Sequence, residues 1–176
     1  MRPKNSVKQS VATISRFVDK GAVPGIQYVV VSRDGTLLEC CSGAKDASTS
    51  ASVRTATTFT ASSVTKALTA AAILQSKDLG RSNLNAHLSS LFVSHPYGDD
   101  LRIDHLLNQS SGAPNPMPLR WLHHADSHSD YDEETALDME LKKHAKLRFA
   151  PGSRYAYSNL AYWLLRRVIE NVSSLS

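Results

Sequence analysis

Apolar residues recur with two different periods along the first part of the chain. One set is spaced as on a single helix face, with polar residues between its members: Val7, Val11, Ile14 and Val18. The mostly β-branched run 26–31 predicts a strand, and Asp34-Gly35 is a strong hairpin-turn pair before a return strand at 36–40. The pattern therefore predicts an amphipathic helix followed by an antiparallel β-hairpin.

The remainder of the chain is dominated by helical patterns. Residues 67–74 are apolar on nearly every side, which indicates a buried helix, and Gly80 is its expected stop. Further helices are predicted over 133–147 and 160–171, where apolar residues return at helical spacing. We expect a single domain of the α/β (α+β) class, with a hairpin at its start and a helical region over about 60–176.

Composition excludes several classes of function. The net charge is +4, but the basic residues are scattered and do not form a stripe with interleaved aromatic residues, so we expect no nucleic-acid partner. No apolar run is long enough to cross a bilayer, and the basic start has no apolar core behind it, as a signal peptide would. As written, the sequence predicts a cytoplasmic protein without a membrane partner.

The clearest candidate for chemistry is Ser63-Val64-Thr65-Lys66, just before the apolar helix. At i and i+3 the serine and lysine side chains share one helix face, and a nearby amine can take the proton that a serine must lose to become a nucleophile. The alternative interpretation is a helix-capping serine followed by a surface lysine. Ser42-Gly43-Ala44-Lys45 has the same spacing, but it follows a strand pattern and contains a glycine, so no helix aligns its side chains.

A second candidate lies at the start of the last helix. Tyr157 and Asn159 follow the turn pair Pro151-Gly152 and precede an apolar helical pattern, so both are expected at a loop-to-helix junction. A phenol can relay protons when a cation lowers its pKa, and an amide can position a carbonyl or an amine. An aromatic contact and a helix cap are the alternative roles.

Four segments, taken in order, resemble the serine β-lactamase and penicillin-binding-protein superfamily. The similarity lies in Val23-Pro24-Gly25-Ile26, in Phe59 to Lys66, in Leu106 to Gly112, and in Phe149-Ala150-Pro151-Gly152 with Tyr157-Ser158-Asn159. It runs from about residue 14 to the last residue. The branch most similar contains class C β-lactamases, D-alanyl-D-alanine peptidases, and β-lactamase-like esterases and acyltransferases.

The resemblance implies a role for each candidate residue. Ser63 is the nucleophile that becomes acylated, Lys66 is its proton partner, Tyr157 is a proton relay, and Asn159 positions the substrate. Whether Lys66 or Tyr157 acts as the base stays open. The implied substrate is a small-molecule ester or amide, and no cofactor is needed. Because no export leader is found, we favour an esterase or transesterase over a β-lactamase or D,D-peptidase.

The superfamily also has a Lys-Thr-Gly or His-x-Gly motif on a later strand, and the sequence contains neither. The resemblance therefore implies the N-terminal part of a β-lactamase/transpeptidase-like domain, with the C-terminal strands missing and one oxyanion N–H donor lacking. Loss of those strands would uncover the apolar face of the helix after Ser63. The alternative function is an inactive or weakly active truncated remnant.

Two further clusters are not expected to carry the chemistry. The segment 123–132 is rich in histidine and aspartate, but its spacing fixes no ligand geometry, so we predict a solvated insertion beside the substrate cleft and no metal. Cys40 and Cys41 are adjacent near the end of a predicted strand. Neighbouring cysteines seldom pair, so two buried free thiols are expected.

Overall fold

The structure is a computed structural model that describes residues 4–46, 48, 51–92, 94–117 and 124–173. The chain divides into two compact units, Met1–Thr60 and Ala61–Ser176. The first is a helix with a hairpin, and the second is helical.

The first unit contains the predicted helix and hairpin. Helix α1 covers Lys4–Asp19, and strands β1 (Gly25–Ser32) and β2 (Gly35–Gly43) pair antiparallel. The register places Tyr28 opposite Cys40, and it shifts at a bulge between Val30 and Val31. In the described part of the chain the sheet consists of these two strands.

The hairpin turn lies one residue earlier than predicted. Ser32 pairs with Gly35, so the two turn residues are Arg33 and Asp34 rather than Asp34 and Gly35. The Ser32 hydroxyl fixes this turn, because it accepts the N–H of Asp34 at 3.2 Å and donates to the Gly35 carbonyl at 3.2 Å. The prediction of two buried thiols is also only half right, since Cys40 is buried and Cys41 is half-buried; both are free.

In its described residues, the second unit contains four α-helices and short 3₁₀ turns. The helices are α2 (Thr65–Asp78), α3 (Ile103–Leu107), α4 (Glu133–Lys143) and α5 (Asn159–Ser173). The predicted helix over 160–171 is confirmed as α5, whose apolar stripe lies at the centre of the core. The stripe consists of Leu160, Ala161, Leu164, Leu165 and Val168. Helix α2 packs against α5, where it buries Ile73.

The expectation that the helix after Ser63 is buried on every side is wrong. Ile73 is the buried residue of α2, whereas Leu68 is 70% exposed and Leu74 is 46% exposed. The cause is that neighbouring elements cover only one side of the helix.

The helix predicted over 133–147 is shorter, because α4 ends at Lys143. Beyond this point the backbone forms long-range hydrogen bonds instead of helical ones. The N–H of Arg148 donates to the Gly112 carbonyl at 2.8 Å, and the N–H of Gly152 donates to the Ser110 carbonyl at 2.9 Å. These contacts join the segment before α5 to the turn after α3, which brings Tyr157 toward the turn at Ser63.

Gly112 makes the first of these contacts possible, and its replacement should be costly. Its φ is +75°, and a Cβ there would lie 2.3 Å from the Phe149 carbonyl oxygen. We expect Gly112→Ala to lower the free energy of unfolding by more than the ~1–2 kcal/mol that left-handed backbone costs a residue with a Cβ. Urea unfolding followed by fluorescence measures the loss.

Gly98 provides the matched control. Its φ is +72°, and a Cβ there meets nothing within 4 Å. Gly98→Ala should therefore show the conformational cost alone. Equal losses for the two variants would show that the close approach at Phe149 does not matter.

Candidate active site

Ser63 lies in a 3₁₀ turn, Ser62–Val64, that leads directly into α2. Helix α2 itself begins at Thr65, so Ser63 lies two residues before the α-helix and not on its first turn. The spacing of three residues still aligns the two side chains, because Lys66 Nζ donates to Ser63 Oγ at 3.3 Å. The structure therefore favours the interpretation in which Ser63 and Lys66 are in contact over that of a helix-capping serine with a separate surface lysine.

The residue before the candidate nucleophile has an unusual backbone. Ser62 has φ +45°, in the left-handed region that residues with a Cβ rarely occupy. Such a conformation costs roughly 1–3 kcal/mol and is typical of functional sites. It sets the direction in which the chain enters the turn and therefore where Ser63 points.

Tyr157 and Asn159 lie at the predicted loop-to-helix junction, since α5 begins at Asn159. The hydroxyls of Ser63 and Tyr157 are 2.8 Å apart. Lys66 Nζ donates to Asn159 Oδ1 at 2.7 Å, and Tyr157 Oη donates to the same oxygen at 3.2 Å. The structure thus brings all four predicted site residues into one hydrogen-bonded group.

Two neighbouring groups contact the Ser63 hydroxyl oxygen. Lys66 Nζ donates to it, and the Tyr157 hydroxyl lies at hydrogen-bond distance from it, in a bond for which either oxygen can be the donor. The Ser63 oxygen therefore has both an amine and a phenol within reach. Ser63 and Tyr157 are both exposed, so a substrate can reach them from solvent.

The cationic lysine beside Tyr157 also changes the acidity of the phenol. Interaction with Lys66 and then the hydrogen bond with Ser63 lower the pKa of Tyr157 from its ordinary value of 10.0, against a smaller opposing effect of burial. Lys66 Nζ lies 5.0 Å from the centre of the Tyr157 ring. A phenol with a lowered pKa is a better proton acceptor near neutral pH than an ordinary tyrosine, because more of it is phenolate.

Gln109 positions the segment that carries Tyr157, and sequence reasoning missed this role. The Gln109 carbonyl accepts the N–H of Ala156 at 2.8 Å, and its side-chain Oε1 accepts the N–H of Ser158 at 2.7 Å. Gln109 is buried and has φ +63°. Gln109 therefore holds the residues on both sides of Tyr157 in the sequence. Its position inside the Leu106–Gly112 segment was the only available signal.

Ser158, not Asn159, caps helix α5. Ser158 Oγ accepts the N–H of Ala161 at 3.0 Å and donates to the Pro114 carbonyl at 2.7 Å. The alternative that Asn159 is the cap is therefore wrong. Because Ser158 takes that role, the Asn159 amide is available to Lys66, and its backbone N–H is held by Asn115 Oδ1 at 2.9 Å.

The segment rich in histidine and aspartate forms an exposed 3₁₀ turn, Ala125–Asp130. His124 Nδ1 lies 3.1 Å from a carboxylate oxygen of Asp126, and His123 is outside the described residues. Among the residues that the structure describes, no three His, Cys, Asp or Glu side chains are grouped as metal ligands would be. Within the same residues, no helix combines the length and apolar character that crossing a bilayer requires.

A family model described as Beta-lactamase matches residues 11–176. Among curated relatives, the chain is 29% identical over 188 residues to Protein flp of Staphylococcus aureus (strain NCTC 8325 / PS 47). That alignment covers 99% of this chain and 35% of the staphylococcal protein. The chain therefore spans about a third of the length of this relative.

Two solved structures share the fold over nearly the whole chain. A class C β-lactamase gives a TM-score of 0.78 at 20% identity, covering 98% of this chain and 46% of that one. EstCE1, a hydrolase with promiscuous acyltransferase activity, gives 0.75 at 23% identity, covering 97% and 48%. The predicted β-lactamase/transpeptidase-like fold is confirmed, as is the prediction that the sequence covers only part of it. With a family match that leaves out only the first ten residues, the chain belongs to the Beta-lactamase family.

Proposed function

We propose that Ser63 is the nucleophile of an acyl-transferring hydrolase that acts on an ester or amide through an acyl-enzyme. One observation carries the proposal: Ser63 Oγ is within hydrogen-bond distance of both the Tyr157 hydroxyl and the Lys66 amine, at 2.8 Å and 3.3 Å. A serine hydroxyl is a weak nucleophile until a neighbour accepts its proton. Here two candidate acceptors contact the same oxygen.

The reaction follows from these contacts. Ser63 Oγ forms a bond to the substrate carbonyl carbon while its proton moves to the group formed by Tyr157 and Lys66. The tetrahedral intermediate then collapses, the bond from carbon to the leaving group breaks, and the leaving group takes the proton. Water or an alcohol attacks the acyl-enzyme and releases the acyl group. Asn159 holds Lys66 in place through its 2.7 Å hydrogen bond during this cycle.

Between subclasses, we favour an esterase or transesterase. The fold does not decide, since it is shared by a class C β-lactamase and by a hydrolase with acyltransferase activity. An alkoxide or phenoxide leaves an ester more readily than an amine leaves an amide, because the amide nitrogen must be protonated first. An ester therefore makes the smaller demand on this site. A β-lactamase or D,D-peptidase is the next candidate.

Two covalent probes test the proposal and separate the subclasses. A fluorophosphonate should label the chain, and peptide mapping should find the adduct on Ser63 and not on Ser42, whose Ser42-Gly43-Ala44-Lys45 segment lies at the end of strand β2. Labelling by the fluorophosphonate alone supports an esterase, and labelling by a fluorescent penicillin as well supports a β-lactamase or peptidase. No adduct from either probe, with no hydrolysis of p-nitrophenyl esters, would contradict the proposal and favour an inactive remnant.

A further inference from the structure

An apolar cleft of about 420 Å³ opens beside the candidate nucleophile. Ser63 and Asn159 line one part of it, and the side chains of Met117, Tyr131 and Trp163 supply apolar walls. Its volume is in the range of small-molecule sites, about 300–1,000 Å³. A group attached to Ser63 Oγ therefore has an apolar surface within reach.

The Glu133 carboxylate in this cleft is already paired within the protein, and the His128 imidazole also lines the space. Glu133 lines the cleft, and its carboxylate accepts the indole N–H of Trp163 at 2.8 Å and forms an ion pair with Arg166. These contacts fix the Trp163 ring and leave the site without a demand for a cationic substrate. A charged substrate group would leave water for walls that are mostly apolar, and burial of a charge without a partner is costly. The cleft therefore favours an uncharged group.

The walls also favour a flat group. Met117 is 71% exposed, and its sulfur is in contact with the Asn159 side-chain nitrogen, so it stands at the edge of the cleft near the reacting atoms. Thioether sulfur packs well against aromatic rings, and aromatic pairs add to ordinary apolar burial. The cleft therefore presents one thioether and two aromatic side chains to a bound group, from Met117, Tyr131 and Trp163.

We infer that this cleft holds the acyl group of the substrate and that the preferred acyl group is uncharged and aromatic, as in an arylacetyl ester. The inference rests on the proposed acyl-enzyme function. In the acylation step the Ser63 Oγ–acyl bond forms, the ester C–O bond breaks, and the alcohol leaves with the proton. The acyl group then stays bonded to an atom of the cleft wall, whereas the alcohol does not. The acyl group is therefore the part of the substrate that the cleft can hold throughout the reaction.

The test compares p-nitrophenyl phenylacetate with p-nitrophenyl acetate, which differ only in the acyl group. For each ester, kcat/KM is divided by the rate constant of its hydroxide-catalysed hydrolysis. We expect this normalised kcat/KM to be at least about tenfold higher for the phenylacetate than for the acetate, as for added apolar groups in a fitted pocket. Both Met117→Ala and Trp163→Leu should lower this phenylacetate-to-acetate ratio at least about threefold, since each removes part of a wall.

Met139→Ala is the matched control, because Met139 is an exposed methionine on α4 that does not line the cleft. It should leave the ratio unchanged. Met117→Ala changes an exposed side chain and guards against a folding defect in the Trp163 variant. A ratio near one, or a ratio that neither cleft variant alters, overturns the inference while the hydrolysis itself still supports the proposed function. If neither ester is hydrolysed, the proposed function fails, and this inference fails with it.

Discussion

Ser63→Ala should abolish acyl-enzyme formation. We expect the rate of p-nitrophenol release from an activated ester to fall by about 10⁴-fold or more, as when a serine hydrolase loses its nucleophile. The physical reason is that Lys66 and Tyr157 both contact the Ser63 hydroxyl oxygen, and no group replaces it in the variant. Single-turnover kinetics measure the rate, and intact-mass spectrometry detects the acyl adduct.

Ser42→Ala is the control for this experiment. Ser42 has a lysine three residues later, but it lies in strand β2, where the two side chains do not share a helix face. The variant should acylate at the rate of the unaltered chain. If Ser63→Ala kept a tenth or more of that rate, or if Ser42→Ala lost it, the assignment of the nucleophile would be wrong.

The sequence predicts the local parts of this site because local geometry determines them. A spacing of three residues between Ser63 and Lys66 is enough to bring their side chains together, whether the backbone is an α-helix or the observed 3₁₀ turn followed by α2. The Pro151-Gly152 turn and the apolar period after it place Tyr157 and Asn159 at the start of α5. These predictions require only information within one element.

The site is formed by two segments, one with Ser63 and Lys66 and one with Tyr157 and Asn159. Their proximity depends on tertiary packing, and in the sequence only the family resemblance indicated it. Ser63 and Tyr157 are 94 residues apart in sequence. They meet because α2 packs on α5 and because Gln109, buried with φ +63°, holds the backbone on both sides of Tyr157. The left-handed backbone of Gln109 has no signal in the residue pattern. Ser158 and Asn159 are both residue types that favour the N-cap position, so the pattern does not tell which of them caps α5.

The exposure of α2 has a similar origin. Its sequence is apolar on nearly every side, and residue pattern alone reports how much apolar surface a helix has, not how much of it other elements cover. In this structure Ile73 is buried against the rest of its unit, whereas Leu68 is mostly exposed. The early end of α4 follows the same logic, because the hydrogen bonds of Gly112 and Ser110 to later residues compete successfully with further helix.

The second large effect concerns the proposed base, for which Lys66 and Tyr157 are the two candidates. Only a deprotonated base accepts the serine proton, so acylation should become faster as pH rises, until the pKa of the base is passed. The pKa of Tyr157 lies below 10.0, chiefly because of Lys66. Lys66→Met removes that cation, so the pKa of Tyr157 should return toward 10.0 and the rise in rate should move to higher pH. At neutral pH we expect acylation to fall by about 10³-fold.

Lys66→Arg is the matched variant that separates the two possible bases. Arginine keeps the positive charge but cannot act as a base, since its pKa is too high. If the Tyr157 phenolate is the base, Lys66→Arg should keep the low-pH position of the rise, and Tyr157→Phe should eliminate that rise. If the Lys66 amine is the base, Lys66→Arg should be as slow as Lys66→Met, and Tyr157→Phe should keep a pH-dependent rise. The pH dependence of kcat/KM for one activated ester decides between them. Acylation that is unaffected by all three variants would contradict any role for this pair in moving the Ser63 proton.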